Sequence, residues 1–177
     1  MIVRLVIIII FLAVSACAPY AKGPVFSTQT AETTFQPIVE FLGIEPGMAV
    51  ADVGAGSGAL TVIMATQLDS CKGYIQDIDR ETLEKENVNK MIAHYSEELG
   101  YDLGERNDFQ IVYGTTTESN LPNRSIDVIY SNATIHVFDD HDAMLQDLRQ
   151  KLKPTGRIFF RDGFKNHNGE EEFCSSK

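Results

Sequence analysis

Short apolar runs alternate along this chain with longer stretches in which apolar residues recur every three or four positions. Phe35, Ile38, Val39 and Leu42 share one face of a predicted helix from about Thr33 to Leu42, and Pro46-Gly47 turns the chain after it. Met48–Val53 then predicts a buried strand, and a helix follows Gly58 through Ala59–Leu68. Gly73–Ile78 predicts a second strand, and a long polar helix runs from about Arg80 to Leu99. Phe109–Gly114 and Ser125–Ala133 predict the third and fourth strands. A helix from about Asp140 to Leu152 is stopped by Pro154 and Gly156, and Arg157–Asp162 predicts a fifth strand. Strands alternating with helices imply an α/β architecture, a doubly wound, mostly parallel sheet with helices on both faces. Ligands of such sheets bind at the carboxyl ends of the strands, where the strand order reverses. The segments to examine for chemistry are therefore Asp52–Gly58, Asp77, Gly114–Thr117 and Ser131–His136.

The first apolar run has a different meaning. Arg4 precedes an unbroken apolar stretch, Leu5–Val14, and then come Ser15, Ala16 and Cys17. A charged start, a short apolar run and small residues at a cleavage site are the parts of a secretory signal. The run is shorter than the roughly 20 residues of a comfortable membrane span. Val14–Cys17, VSAC, resembles the lipobox of bacterial lipoproteins, in which the cysteine is lipidated, although Val14 stands where leucine is commoner. The expected organisation is a signal peptide over 1–16, a lipidated Cys17 with a tether over 17–30, and a folded domain over 31–177. Such a domain is exported and membrane-anchored, facing the periplasm or the cell exterior. An uncleaved signal anchor is the alternative, and it places the domain on the same side. Cys71 and Cys174 either pair in an oxidising compartment or remain two small hydrophobes.

Composition narrows the partners. With 177 residues and 44% hydrophobic content the chain suits one packed domain. Its formal net charge of −10 repels phosphate backbones, which argues against a nucleic-acid partner. His141 sits among acids at a helix start and reads as a solvated surface residue, His94 and His167 have no partner pattern, and no metal site is read.

The glycine loop carries the main chemical signal. Gly54, Gly56 and Gly58, with Ala55 between the first two, follow a strand and open a helix. They let the backbone turn tightly and approach a ligand closely. The string satisfies the dinucleotide fingerprint, and it reads equally as the loop of an S-adenosylmethionine site. Asp52 tilts the choice, because a carboxylate two residues before the first glycine repels a diphosphate and attracts a ligand bearing an ammonium and a sulfonium. Asp77, at the end of the second strand, suits ribose hydroxyls in either ligand. A dinucleotide oxidoreductase therefore stays as an alternative.

The segments VADVGAGSG (50–58), DIDRETL (77–83), GTTTESNLPNRSIDVIYSNATIHVF (114–138) and LKPTGRIFF (152–160) resemble class I S-adenosylmethionine-dependent methyltransferases in order and spacing. They look closest to a bacterial branch with exported members, and the match spans about Phe35 to Phe160. The resemblance implies a Rossmann-like fold and S-adenosylmethionine as cofactor. Asp52, Gly54, Ala55, Gly56 and Gly58 would hold its methionine end, Asp77 the ribose, and Thr115 and Thr116 would lie near the adenine. Many relatives have an acid where Thr115 and Thr116 stand. Asn132 and His136, just beyond the fourth strand, lie where the acceptor is expected, with His136 as a base if the acceptor must lose a proton. The segment SNAT lacks the Asn/Asp-Pro-Pro-Tyr/Phe string of amino-group methylases, which favours a small-molecule or lipid-like acceptor. Beyond the fifth strand the sequence departs from the family's final helix and antiparallel hairpin, so the sheet is expected to end early. An open edge of this kind invites a protein partner, and a binding lipoprotein without turnover is the further alternative.

Overall fold

A computed structural model describes residues 26–165 and 171–173, with side chains over 26–162. The signal segment, Cys17, most of the tether and Cys174 lie outside the described residues. Among the described residues no helix is long and apolar enough to cross a membrane.

Five parallel strands form the main sheet: β1 (Ala49–Val53), β2 (Lys72–Asp77), β3 (Asp108–Tyr113), β4 (Ile126–Asn132) and β5 (Leu152–Arg161). Their spatial order is β3-β2-β1-β4-β5, so the order reverses between β1 and β4. That reversal puts the carboxyl ends of β1, β2 and β4 around one crevice. The fold is the expected doubly wound α/β architecture of class I methyltransferases, and among the described residues the main sheet ends at β5. A separate antiparallel ribbon, β6 (Gly163–Lys165) with β7 (Glu171–Phe173), follows it and does not join the main sheet.

Alternation along each strand sorts the core into layers. In β1, Val50 packs with Val39, Leu42 and Met64, whereas Ala51 and Val53 pack with Ile129, Met144 and Leu148. Helices α1 (Thr28–Thr30) and α2 (Gln36–Leu42), joined by a π-turn over Ala31–Phe35, lie on the first face with α3 (Ala59–Ala65) and α4 (Lys85–Leu99). Helix α5 (Leu103–Arg106) is a single turn before β3, and α6 (His141–Lys151) covers the opposite face through Met144 and Leu148. In α4 the buried Val88, Met91 and Tyr95 share the face turned to α3. Gly100, at φ 73°, ends that helix in the left-handed conformation.

Several boundaries differ from the pattern-based expectation, each for a local reason. Helix begins at Thr28 because Ser27 caps it, its hydroxyl accepting from the Thr30 N–H. Phe26 N–H also donates to the Tyr95 hydroxyl, so the chain already contacts α4 at residue 26. The expected helix start at Arg80 moves to Lys85, because Asp79 takes the N–H groups of Glu81 and Thr82 into a turn. Pro154 and Gly156 fall inside β5 instead of before it. The register against β4 jumps there from Ile126–Leu152 to Val128–Arg157, and an edge strand tolerates a proline at such an irregularity. Cys71 is a free, buried thiol whose sulfur donates to Glu45 O, and burial pushes it above its ordinary pKa.

Candidate functional site

The loop after β1 is built around the end of β2. Gly54 and Ala55 both donate their N–H groups to the main-chain oxygen of Gln76, each at 2.9 Å. Gly56 N–H donates to Asp77 Oδ2 at 2.7 Å, and the Asp79 N–H donates to Asp77 Oδ1 at 2.9 Å. Gly54, Gly56 and Gly58 have φ of 75°, 55° and 81°, which L side chains rarely adopt. Three glycines in one short loop are thus a conformational requirement. A Cβ on Gly58 would press Ile75 and Val88, where α3 and α4 pack on the sheet. A Cβ on Gly54 would overlap the Thr134 side chain, whereas the space beside Gly56 is open.

A cavity of about 190 Å³ opens at this end of the sheet, lined by Gly54, Gly56, Asp77, Thr115, Thr116 and Thr134 among others. Exposed Ile78 and Val137 form part of its rim, and Phe138 and Met144 close it on the α6 side. Five expected site residues therefore meet: Gly54 and Gly56 from the loop after β1, Asp77 at the end of β2, and Thr115 and Thr116 from the turn after β3. Thr115 also holds that turn itself, its hydroxyl accepting the Glu118 N–H at 2.9 Å. Gly114 makes the turn possible, because a Cβ there would overlap the Gln76 amide.

Asp52 is placed differently from the cavity residues. Strand alternation turns it toward α3, where Thr61 donates its hydroxyl to Asp52 Oδ2 at 2.7 Å, and only 2% of the residue is exposed. Burial pushes its carboxyl from 3.8 up to about 6; the Thr61 hydrogen bond opposes the rise and the nearby Asp77 charge adds to it. Tyr130, its register partner on β4, is also raised, first by burial and then by the Asp52 charge, against a hydrogen bond with Arg161. The Asp52 charge thus sits behind the loop, within the protein.

Of the two residues expected on the acceptor side, His136 follows β4 and Asn132 is its last residue. Asn132 closes β4, and its main-chain oxygen accepts from Thr134 Oγ1 at 3.0 Å. Ala133, at φ 55°, then bends the chain so that Thr134 reaches back to Gly54 O at 3.3 Å. His136 stands in the short turn Ile135–Val137. Its Nδ1 lies 3.0 Å from both carboxylate oxygens of Asp162, and its main-chain N–H donates to the same carboxylate at 3.2 Å. Neither His136 nor Asn132 lines the cavity itself; their neighbours Thr134, Val137 and Phe138 do. Sequence reasoning missed Asp162, Thr134 and Gln76. Thr134 lay inside a segment marked for examination and Gln76 beside Asp77, whereas nothing in the sequence pairs Asp162 with His136. Of the remaining histidines, His141 Nε2 lies 2.8 Å from Ile135 O, and His94 lies 3.3 Å from Glu98.

Residues 51–160 match the model of the methyltransferase domain family. The chain belongs to that family. Membership sets aside the dinucleotide alternative raised by the glycine fingerprint. Among relatives, mouse (Mus musculus) arsenite methyltransferase is 25% identical over 128 residues, 72% of this chain and 34% of its own. Arabidopsis thaliana phosphoethanolamine N-methyltransferase 1 is 33% identical over 136 residues, 77% of this chain and 25% of its own. The chain thus spans about a third or less of these curated relatives. The solved structure of a SAM-dependent methyltransferase from Aquifex aeolicus shares the fold with a TM-score of 0.57, at 19% identity over 81% of this chain and 76% of that one.

Proposed function

We propose that this methyltransferase domain moves a methyl group from S-adenosylmethionine to a small-molecule acceptor. The observation that carries the reading is the single cavity in which Gly54, Gly56, Asp77, Thr115 and Thr116 meet, although they come from three separate segments. S-adenosylmethionine supplies a methyl group already activated on a sulfonium, whose carbon–sulfur bond breaks with both electrons kept by sulfur. The residues present fit such a ligand. The open side of Gly56 gives a backbone cradle, and Asp77 retains acceptor capacity for ribose hydroxyls beyond its two backbone bonds. Thr115 and Thr116 offer a polar wall on the adenine side. Asp52 acts through its charge from behind the loop, favouring a cationic methionine end. Gly54, Ala55 and Gly58 shape the backbone there. His136 and Asn132 stand on the acceptor side, His136 as the base where the acceptor carries a proton.

The acceptor class follows from charge and from the relatives. A surface of net charge −10 disfavours nucleic acid, and the relatives named above are an arsenite and a phosphoethanolamine methyltransferase. The first test is calorimetric titration with S-adenosylmethionine, its demethylated product and NAD. Binding of the first two, lost in Asp77→Ala, is expected; NAD binding alone would refute the reading. Turnover is then read as demethylated product formed with arsenite or phosphoethanolamine present. Donor binding with no product from a broad panel of small acceptors would favour a binding protein that keeps the fold.

We further propose that the domain is exported and anchored through Cys17. Arg4, the apolar run Leu5–Val14 and VSAC support this reading. Radiolabelled palmitate is expected in the wild-type chain and absent from Cys17→Ala. Retention of the unprocessed chain in the cytosol would refute it.

A further inference from the structure

We infer that Asp162 is a positioning residue for His136, holding the ring proton on Nδ1 and leaving the Nε2 lone pair as the base. This rests on the methyl-transfer reading above, which it deepens by naming the acceptor class. An ionised carboxylate has no proton to give, so the ring nitrogen 3.0 Å from both Asp162 oxygens must itself be the N–H donor. Exposure is divided between the partners in the sense that a base requires. The Asp162 side chain is 3% exposed and the His136 side chain 56% exposed. The anchored end is buried, and the ring reaches outward.

The same carboxylate also takes the main-chain N–H of His136, so one buried group fixes both the ring and the turn that bears it. Thr134 just before that turn, Val137 within it and Phe138 just after it line the cavity, so the turn that bears His136 borders the cavity. Asp162 reaches this place because β5 pairs Arg161 with Asn132, bringing the end of β5 beside the end of β4. When the acceptor's proton moves to Nε2, the ring becomes cationic and the Asp162 charge lies across it, favouring the transfer. The proton ends on His136, and the electron pair it leaves stays on the acceptor atom for the new bond to carbon. The acceptor class is therefore a group whose reacting atom carries a removable proton, an ammonium, hydroxyl or thiol. A tertiary amine or thioether makes no use of this pair.

The test is ring-nitrogen NMR on the ¹⁵N-histidine-labelled full chain in detergent, with no donor or acceptor added. The chain has four histidines, and His136→Gln assigns the signal. In the wild type the neutral His136 ring is expected with its proton on Nδ1. Asp162→Asn keeps it there, because the amide oxygen still accepts that N–H. Asp162→Ala moves the proton to Nε2, the preferred site in a ring without a partner. A wild-type ring protonated on Nε2, or an Asp162→Ala ring still protonated on Nδ1, would overturn the inference. Since no ligand is present, failure of the methyl-transfer reading is read separately, by the calorimetry above.

Discussion

Asp52→Asn is expected to stabilise the protein at neutral pH and to remove a specific part of its pH dependence. The Asp52 carboxyl is raised from 3.8 to about 6, chiefly by burial. A rise of that size corresponds to about 3 kcal/mol between the protonation states. The folded state therefore binds this proton more tightly than the unfolded chain does. Below pH 3.8 the group is protonated in both states and contributes nothing. Above about pH 6 it is ionised in both, and folding carries the full penalty of about 3 kcal/mol. Its contribution thus improves as pH falls from 6 toward 4. Asparagine has the same shape, can accept the Thr61 hydroxyl and has no charge to bury. Urea unfolding of both proteins from pH 4 to 8 measures the difference, and other titrating groups cancel in it. The variant should be more stable by about 2–3 kcal/mol at pH 7.5, with the gap closing near pH 4. A variant less stable at pH 7.5, or a gap independent of pH, would refute the argument. The same substitution should weaken S-adenosylmethionine binding, because the ligand's cationic end loses the charge behind the loop. Stability withheld for a ligand is a common feature of binding sites.

Further outcomes follow from individual contacts. Gly54→Ala combines a positive φ with overlap on Thr134, and should lower stability by about 2–3 kcal/mol in thermal unfolding. Adding Thr134→Ala should recover part of that loss; no recovery would show that the overlap is not the cause. Burial alone would raise Asp147, but hydrogen bonds from Ser119 and Lys151 together hold its carboxyl below the ordinary range. Asp147→Ala, which leaves Ser119 without its acceptor, should cost about 1–3 kcal/mol at pH 7 in urea unfolding. That cost should shrink as the pH falls below the ordinary carboxyl value of 3.8, where the unfolded chain takes up the proton before the native carboxylate does. Ser131 Oγ is buried without a hydrogen-bond partner among the described residues. Ser131→Ala should therefore be neutral or stabilising by about 1 kcal/mol, and a clear loss of stability would point to a partner for the hydroxyl.

Local patterns carried most of the architecture. Strand runs such as Met48–Val53 and the three-to-four spacing in Lys85–Leu99 reflect burial on one or both faces, which repeats within a few residues. Likewise Gly54, Gly56 and Gly58 were legible because the left-handed backbone they adopt is written into residue type. Boundaries were less legible where a single side chain diverted the backbone, as Asp79 does before α4 and Ser27 before α1. The site itself was legible as segments and not as contacts. Asp52 had been expected beside the ligand; alternation on β1 and the placement of α3 turned its carboxyl to Thr61. Thr134 meets Gly54 across 80 residues, and His136 meets Asp162 across 26. Such meetings depend on which strands become neighbours, a choice made by packing the whole sheet. By itself the sequence determined the parallel α/β class, the glycine loop and the acid at the end of β2, because these rest on short-range sterics and periodicity. Only the tertiary structure decided that Asp52 is buried, because α3 packs over that face of β1, and that Asp162 holds His136, because the order β3-β2-β1-β4-β5 makes β4 and β5 neighbours.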